Sequence, residues 1–203
     1  DAIDAIDADG DGIPDVLTAL HDAWTRARAL LQDDLGLALP GGLHVTVARI
    51  GADVDGYTLP ASALVGPRIV LDPAPSGGAD RLARATNREA AFVTARTAHP
   101  GIEPAWADAF ARWATIRVLG TDEHSIELLA DRRDRFNEGL TTSDARLAAG
   151  NALWFAWLDE AIGALAIPIA LEELDRADST AAGLDRAVRR AAGMSLDEAT
   201  RDL

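Results

Sequence analysis

The sequence lacks cysteine and lysine, so arginine carries the positive charge of its side chains. The absence of cysteine excludes disulfide bonds and thiolate chemistry. The 19 basic residues face 33 acidic ones, and the net charge of −14 argues against a nucleic-acid partner, because phosphates require a basic surface. No apolar run approaches the ~20 residues that a membrane-spanning helix needs, so we expect no membrane insertion. A chain of 203 residues can bury a substantial core, and we predict a single domain over residues 1–203.

Acidic residues are concentrated at the start of the chain, where residues 7–15 read DADGDGIPD. Carboxylates at alternate positions, followed by glycine, are typical of an EF-hand-like calcium loop. The predicted calcium ligands are Asp7, Asp9, Asp11, the carbonyl of Ile13, and Asp15. Thr18 stands where an EF-hand sensor has a bidentate glutamate, so the predicted loop and helix start, residues 7–18, bind calcium modestly or borrow a carboxylate from elsewhere. An acidic tail that caps a helix is the alternative interpretation.

The remaining hydrophobic patterns predict an α+β fold with a small N-terminal β-sheet and a mainly helical remainder. Apolar residues at helical spacing predict a helix over 16–31. Alternating β-branched residues predict strands over 43–50 and 68–71, with a turn at Asp55–Gly56, so the sheet spans residues 43–72. Residues 80–203 form the helical part. The predicted helices cover residues 80–97, 104–118, 123–135, 144–163, 168–176, 180–191 and 195–202. Ser195 and Glu198 have the spacing of a capping box at the start of the last helix.

Several segments, in this order, resemble those of one protein family. They read DADGDGIPD, GLHVTVARIGADVDGYTLP, PRIVLDP, ATNREAAFVTA, EPAWADAFARWA and LAAGNALWFAWLDEAIG. Over roughly residues 7–176 the chain resembles the secreted bacterial zinc metallopeptidases of the gluzincin kind. The resemblance implies a metallopeptidase-like helical part and an extracellular or cell-surface location.

The resemblance fails at the residues that would bind zinc. The family's HExxH helix offers two imidazoles one turn apart and a glutamate that acts as general base. The matching stretch here is Arg88-Glu89-Ala90-Ala91-Phe92, and Asp108 stands where the family has its downstream ligand glutamate. We therefore expect no zinc and a degenerate peptidase site. We further predict that Arg88 or Arg112 pairs with Asp108 or Glu89, because these carboxylates would otherwise lack a compensating charge, and that Phe92 fills the space of an imidazole.

Three functions remain open at this point. The first is a calcium-binding, catalytically inactive metallopeptidase-like domain of an exported protein, with a binding or structural role and a protein or cell-surface partner. The second is a hydrolase whose active site is rebuilt from Glu89, Asp108, His99 and His124. The third is a calcium-dependent adhesion or assembly module whose likeness to a peptidase is accidental. In the simplest structural interpretation, Glu89 and Asp108 are ordinary solvated charges on helix surfaces.

Overall fold

The computed structural model describes residues 7–8, 10–51, 54–62, 65–73, 78–135, 145–199 and 201, with residues 145–147 described by their backbone alone. The described chain has the predicted α+β architecture, with a small three-stranded sheet and a mainly helical remainder. Across these ranges, no helix combines the length and the apolar character that crossing a membrane requires.

The helices follow the predicted ones closely. Helix α1 spans Asp15–Arg28 and continues as a π-helical segment over Ala29–Asp34. The later helices are α2 (Gly78–Ala98), α3 (Pro104–Leu119), α4 (Glu123–Asp134), α5 (Ala145–Gly150), α6 (Ala152–Ala161), α7 (Ala166–Asp175), α8 (Thr180–Ala192) and α9 (Leu196–Ala199). The capping box is confirmed, since the Ser195 N–H donates to Glu198 Oε2 at 2.7 Å and the Glu198 N–H donates to Ser195 Oγ at 3.2 Å.

The predicted helix over 144–163 is wrong in one respect, because it is broken at Asn151. Helix α5 ends at Gly150, and α6 begins at Ala152. A Cβ on Gly150 would lie 2.5 Å from the Cβ of Arg132 and 2.7 Å from the Leu128 carbonyl, so α4 packs against the backbone at this point. The predicted start of this helix at residues 143–144 lies outside the described residues.

The sheet contains strands β1 (His44–Val47), β2 (Gly56–Leu59) and β3 (Arg68–Leu71), in the order β1-β3-β2. Strand β3 pairs in parallel with β1 and in antiparallel fashion with β2. Strand β1 is shorter than the predicted 43–50, and Gly56 belongs to β2 rather than to a turn. Thr58 is the partner of the buried Ile69, so both side chains lie on the sheet face that packs against α2.

Helices α2 and α3 pack closely because small side chains line their buried faces. Ala90 on α2 and Ala107 and Ala111 on α3 are almost fully buried. Such residues let two helix axes approach, since the distance between packed helices depends on the side chains at the contact. Below them, Trp106 packs edge-to-face on Trp154, with ring centroids 5.6 Å apart. This core fixes the position of the charged residues on the solvent side of the two helices.

Candidate functional site

The carboxylate of Asp108 on α3 lies between two guanidinium groups. Arg88 on α2 donates from Nε to Oδ1 at 3.1 Å, and Arg112, one turn further along α3, donates from Nε to Oδ2 at 2.7 Å. The side chains of Asp108 and Arg112 are both 23% exposed, and that of Arg88 is 43% exposed. The predicted pairing of an arginine with Asp108 is therefore confirmed, and the interpretation of Asp108 as a freely solvated charge is wrong.

Glu89 lies beside this ion pair and is buried, with 6% of the residue exposed. Its Oε2 accepts a hydrogen bond of 2.7 Å from the Oγ1 of Thr58 on β2. Burial raises the pKa of the Glu89 carboxyl above its ordinary value, although Arg88, Thr58 and Arg112 act in the opposite direction. Glu89 is thus not the ordinary surface glutamate of the simplest structural interpretation.

Gly56 lies where strand β2 approaches Leu71 on β3 and the side chain of Glu89. A Cβ at this position would lie 2.8 Å from the Cδ2 of Leu71 and 3.5 Å from the Cγ of Glu89. A glycine within a strand often marks such a close approach of backbone to its surroundings. In the sequence, Asp55–Gly56 predicts a turn, whereas in the structure Gly56 is the first residue of β2. Phe92, on the same helix as Glu89, is partly buried and packs against the core. That Phe92 occupies the space of the imidazole found in the family stays a prediction.

A cavity of about 550 Å³ opens beside the ion pair, between α2, α3, the start of α4 and the beginning of β2. Its charged and titratable lining residues are four arginines, four carboxylates and one histidine: Arg81, Arg84, Arg88, Arg112, Asp55, Asp80, Glu89, Asp122 and His124. Such a volume is within the range of small-molecule binding sites. Sequence reasoning selected Arg88, Glu89 and Arg112 but missed Thr58 and Arg84, which no motif marks.

The arginines at the other end of the cavity are held by carboxylates. Arg81 pairs with Asp55. Arg84 donates from Nε to Asp80 at 2.9 Å, lies 3.3 Å from Asp122, and donates from Nη1 to the Gly120 carbonyl at 2.9 Å. These contacts join the end of α3 and the start of α4 to α2. The two carboxylates give this cluster a net charge of −1.

The four residues of the rebuilt hydrolase site are not all brought together. Glu89 and His124 line the same cavity. Asp108 does not line it, but it is bound to Arg88, which does. His99 follows the end of α2, ten residues after Glu89, which corresponds to about 15 Å along a helix axis. Burial lowers the pKa of His99, against the opposing charges of Asp175 and Glu172. His99 therefore cannot act together with Glu89.

The predicted calcium loop is closed by its own hydrogen bonds. The Asp7 carboxylate accepts from the N–H groups of Gly10 at 2.8 Å and Gly12 at 2.9 Å, and the Asp15 carboxylate accepts from Ala8 at 3.3 Å. Gly12 has a φ of +86°, which is the sharp turn that the sequence predicted.

The calcium ligands are only partly described. Asp11 accepts from the Ile13 N–H at 2.7 Å through Oδ1. Asp9 lies outside the described residues. Within the residues that are described, no three His, Asp or Glu side chains come together as a metal-binding group. The oxygen-rich donors and the closed turn suit calcium, and calcium binding stays a prediction.

Comparison with known proteins adds no family to this geometry. No protein-family model matches the chain, and neither a curated protein nor a solved structure gives a match.

Proposed function

We propose that this chain is a calcium-stabilised, catalytically inactive, metallopeptidase-like domain of an exported or cell-surface protein, and that its role is binding. The observation that carries the proposal is the position of Asp108 between Arg88 and Arg112. In the family that the sequence resembles, the positions of Arg88 and Asp108 hold zinc ligands. Here they form an ion pair with each other.

The chemistry of arginine supports the loss of zinc. A guanidinium group stays protonated at any ordinary pH and offers only donors, so it cannot ligate a cation. Both oxygens of Asp108 accept hydrogen bonds from arginine. Zinc binding at Asp108 would bring a dication next to two cations and would cost both ion pairs. The same geometry leaves the cavity beside Glu89 available for binding.

The architecture and the acidic loop support the remaining parts of the proposal. The helix that carries Glu89 packs on the helix that carries Asp108, and the small sheet packs on the Glu89 helix, an arrangement that supports the proposal. The loop of residues 7–15 offers carboxylate oxygens that suit calcium, and its closure by Asp7 and Asp15 prepares the turn at Gly12.

Metal analysis and a peptidase assay test the proposal together. After equilibrium dialysis against a buffer that contains both calcium and zinc salts, we expect about one bound calcium and no stoichiometric zinc per chain. We also expect no cleavage of casein. Asp11→Ala should abolish calcium binding, because it removes a ligand oxygen, and the matched control Asp22→Ala, an exposed position of α1, should not. Stoichiometric zinc, or proteolysis that a chelator inhibits, would overturn the proposal.

A hydrolase is the second candidate, because a buried carboxyl with a raised pKa in a cavity is a recognised feature of acid–base catalysts. Glu89 would be the acid or base, and His124 lines the same cavity. Activity of the pure protein on ester or glycoside substrates that is lost in Glu89→Gln, with no metal requirement, would favour this candidate.

A further inference from the structure

The cavity wall formed by Arg88 and Arg112 has unused hydrogen-bonding capacity. Each of these arginines contacts Asp108 through Nε, and within the described residues the Nη groups of both make no hydrogen bond. Both side chains line the cavity. Because Asp108 fixes the two guanidinium planes through Nε, their outer N–H groups are pre-positioned for an acceptor that enters from the cavity.

The charges around this wall define which acceptor fits. Asp108 neutralises one of the two guanidinium charges, so one positive charge remains at this end of the cavity. Arg84 does not add to it, because Asp80 and Asp122 together outweigh the single charge of Arg84, and an anion is therefore favoured only at the Arg88 and Arg112 end. A single excess charge matches a monoanion better than a phosphate, which carries close to two negative charges at neutral pH.

Glu89 is the nearest group that could repel an anion. It faces Thr58 on β2, Arg88 on its own helix, and Asp108 and Arg112 on α3. Since burial disfavours its charged form, Glu89 repels an incoming anion less than a solvated carboxylate would. Val54 and Ala85 add apolar surface to the same cavity, so the ligand has room for a short hydrocarbon part.

We propose that this cavity binds a small organic monocarboxylate, whose carboxylate is held by the outer N–H groups of Arg88 and Arg112 next to Glu89. The inference deepens the binding role proposed above and rests on it. It does not depend on calcium, since the described residues of the loop, 7–8 and 10–15, do not line the cavity.

Butanoate is a suitable probe, and its binding can be followed by titrating the full chain and recording the backbone amide NMR signals of residues 85–89 and 112–115. At constant ionic strength we expect saturable shifts with butanoate and none with butan-1-ol or butylammonium. Inorganic phosphate should bind more weakly than butanoate. Loss of a charge-assisted hydrogen bond in Arg112→Gln should weaken the affinity about tenfold or more.

Two further variants keep the test decisive. Arg88→Gln changes a more exposed arginine of the other helix and should weaken binding in the same way if Arg112→Gln fails to fold. Arg117→Gln is the matched control, because Arg117 lies on α3 and pairs with Asp159 outside the cavity. It should leave the affinity unchanged.

The inference is overturned by unsaturable shifts, by phosphate binding more tightly than butanoate, or by equal weakening in Arg117→Gln. None of these results tests whether the protein is catalytically inactive. The zinc analysis and the casein assay test that. Conversely, zinc-dependent proteolysis by a protein that binds no butanoate would overturn both.

Discussion

The hydrogen bond of 2.7 Å from the Oγ1 of Thr58 to the Oε2 of Glu89 joins strand β2 to helix α2. It links residues 31 positions apart and is made at a buried carboxyl. A hydroxyl donor stabilises the charged form of a carboxylate, so this bond partly offsets the effect of burial on the pKa of Glu89.

Replacement of Thr58 by valine keeps the side-chain shape and removes this donor. We expect Thr58→Val to lower the free energy of unfolding by about 1–3 kcal/mol at neutral pH, because it leaves a buried acceptor without its partner. The loss should be smaller at acidic pH, where Glu89 is protonated. Urea unfolding at both pH values measures it. Thr46→Val, on edge strand β1, is the control, and an equal loss there would contradict the role of Thr58.

The raised pKa of Glu89 has a definite consequence for stability as a function of pH. The folded state binds the Glu89 proton more tightly than the unfolded state does. The free energy of unfolding therefore falls as the pH rises from the ordinary carboxyl range through the raised pKa. Glu89→Gln removes this penalty. We expect the stability of the variant relative to the wild type to increase across this range and then to level off. A difference that is independent of pH would show that Glu89 titrates normally.

The two arginines of Asp108 should contribute unequally. The Arg112 pair is shorter and less exposed than the Arg88 pair, so we expect Arg112→Ala to destabilise more than Arg88→Ala. The coupling of the partly exposed Arg88 to Asp108 should be about 0.5–1 kcal/mol. A double-mutant cycle with Asp108→Asn measures it, since the cost of Arg88→Ala should fall in that background. Equal costs in both backgrounds would mean that the two residues do not interact.

Removal of calcium should lower the melting temperature if the loop of residues 7–15 binds the ion. A ligand that binds only the native state stabilises it by about 2.7 kcal/mol at a hundredfold excess over Kd. EDTA should therefore destabilise the wild type, and Asp9→Ala or Asp11→Ala should make the melting curve insensitive to EDTA. The control Asp22→Ala should respond as the wild type does. An unchanged wild-type curve would contradict calcium binding.

Local patterns were sufficient for most of the fold. Strand β3 and the capping box of Ser195 and Glu198 depend on residues within a few positions of each other, and both were predictable. The break at Asn151 was not, because it depends on the packing of α4 against Gly150. Within the site, the ion pair of Arg88 with Asp108 was predictable, because the resemblance matches both residues to ligand positions of one zinc site. Thr58 could not be found in this way, since only the register of β2 with β3 directs it towards Glu89.

The close approach at Gly56 also determines how much water reaches Glu89. A methyl group at position 56 would lie 2.8 Å from the Cδ2 of Leu71 and 3.1 Å from the carbonyl oxygen of Val70, so the Leu71 side chain or strand β2 would have to shift. A larger residue would move the strand outward and hydrate Glu89, and its pKa would then fall towards that of a solvated carboxyl. The acidity of a side chain on α2 is therefore controlled from a position 33 residues earlier in the chain, by a residue that has no ionisable group.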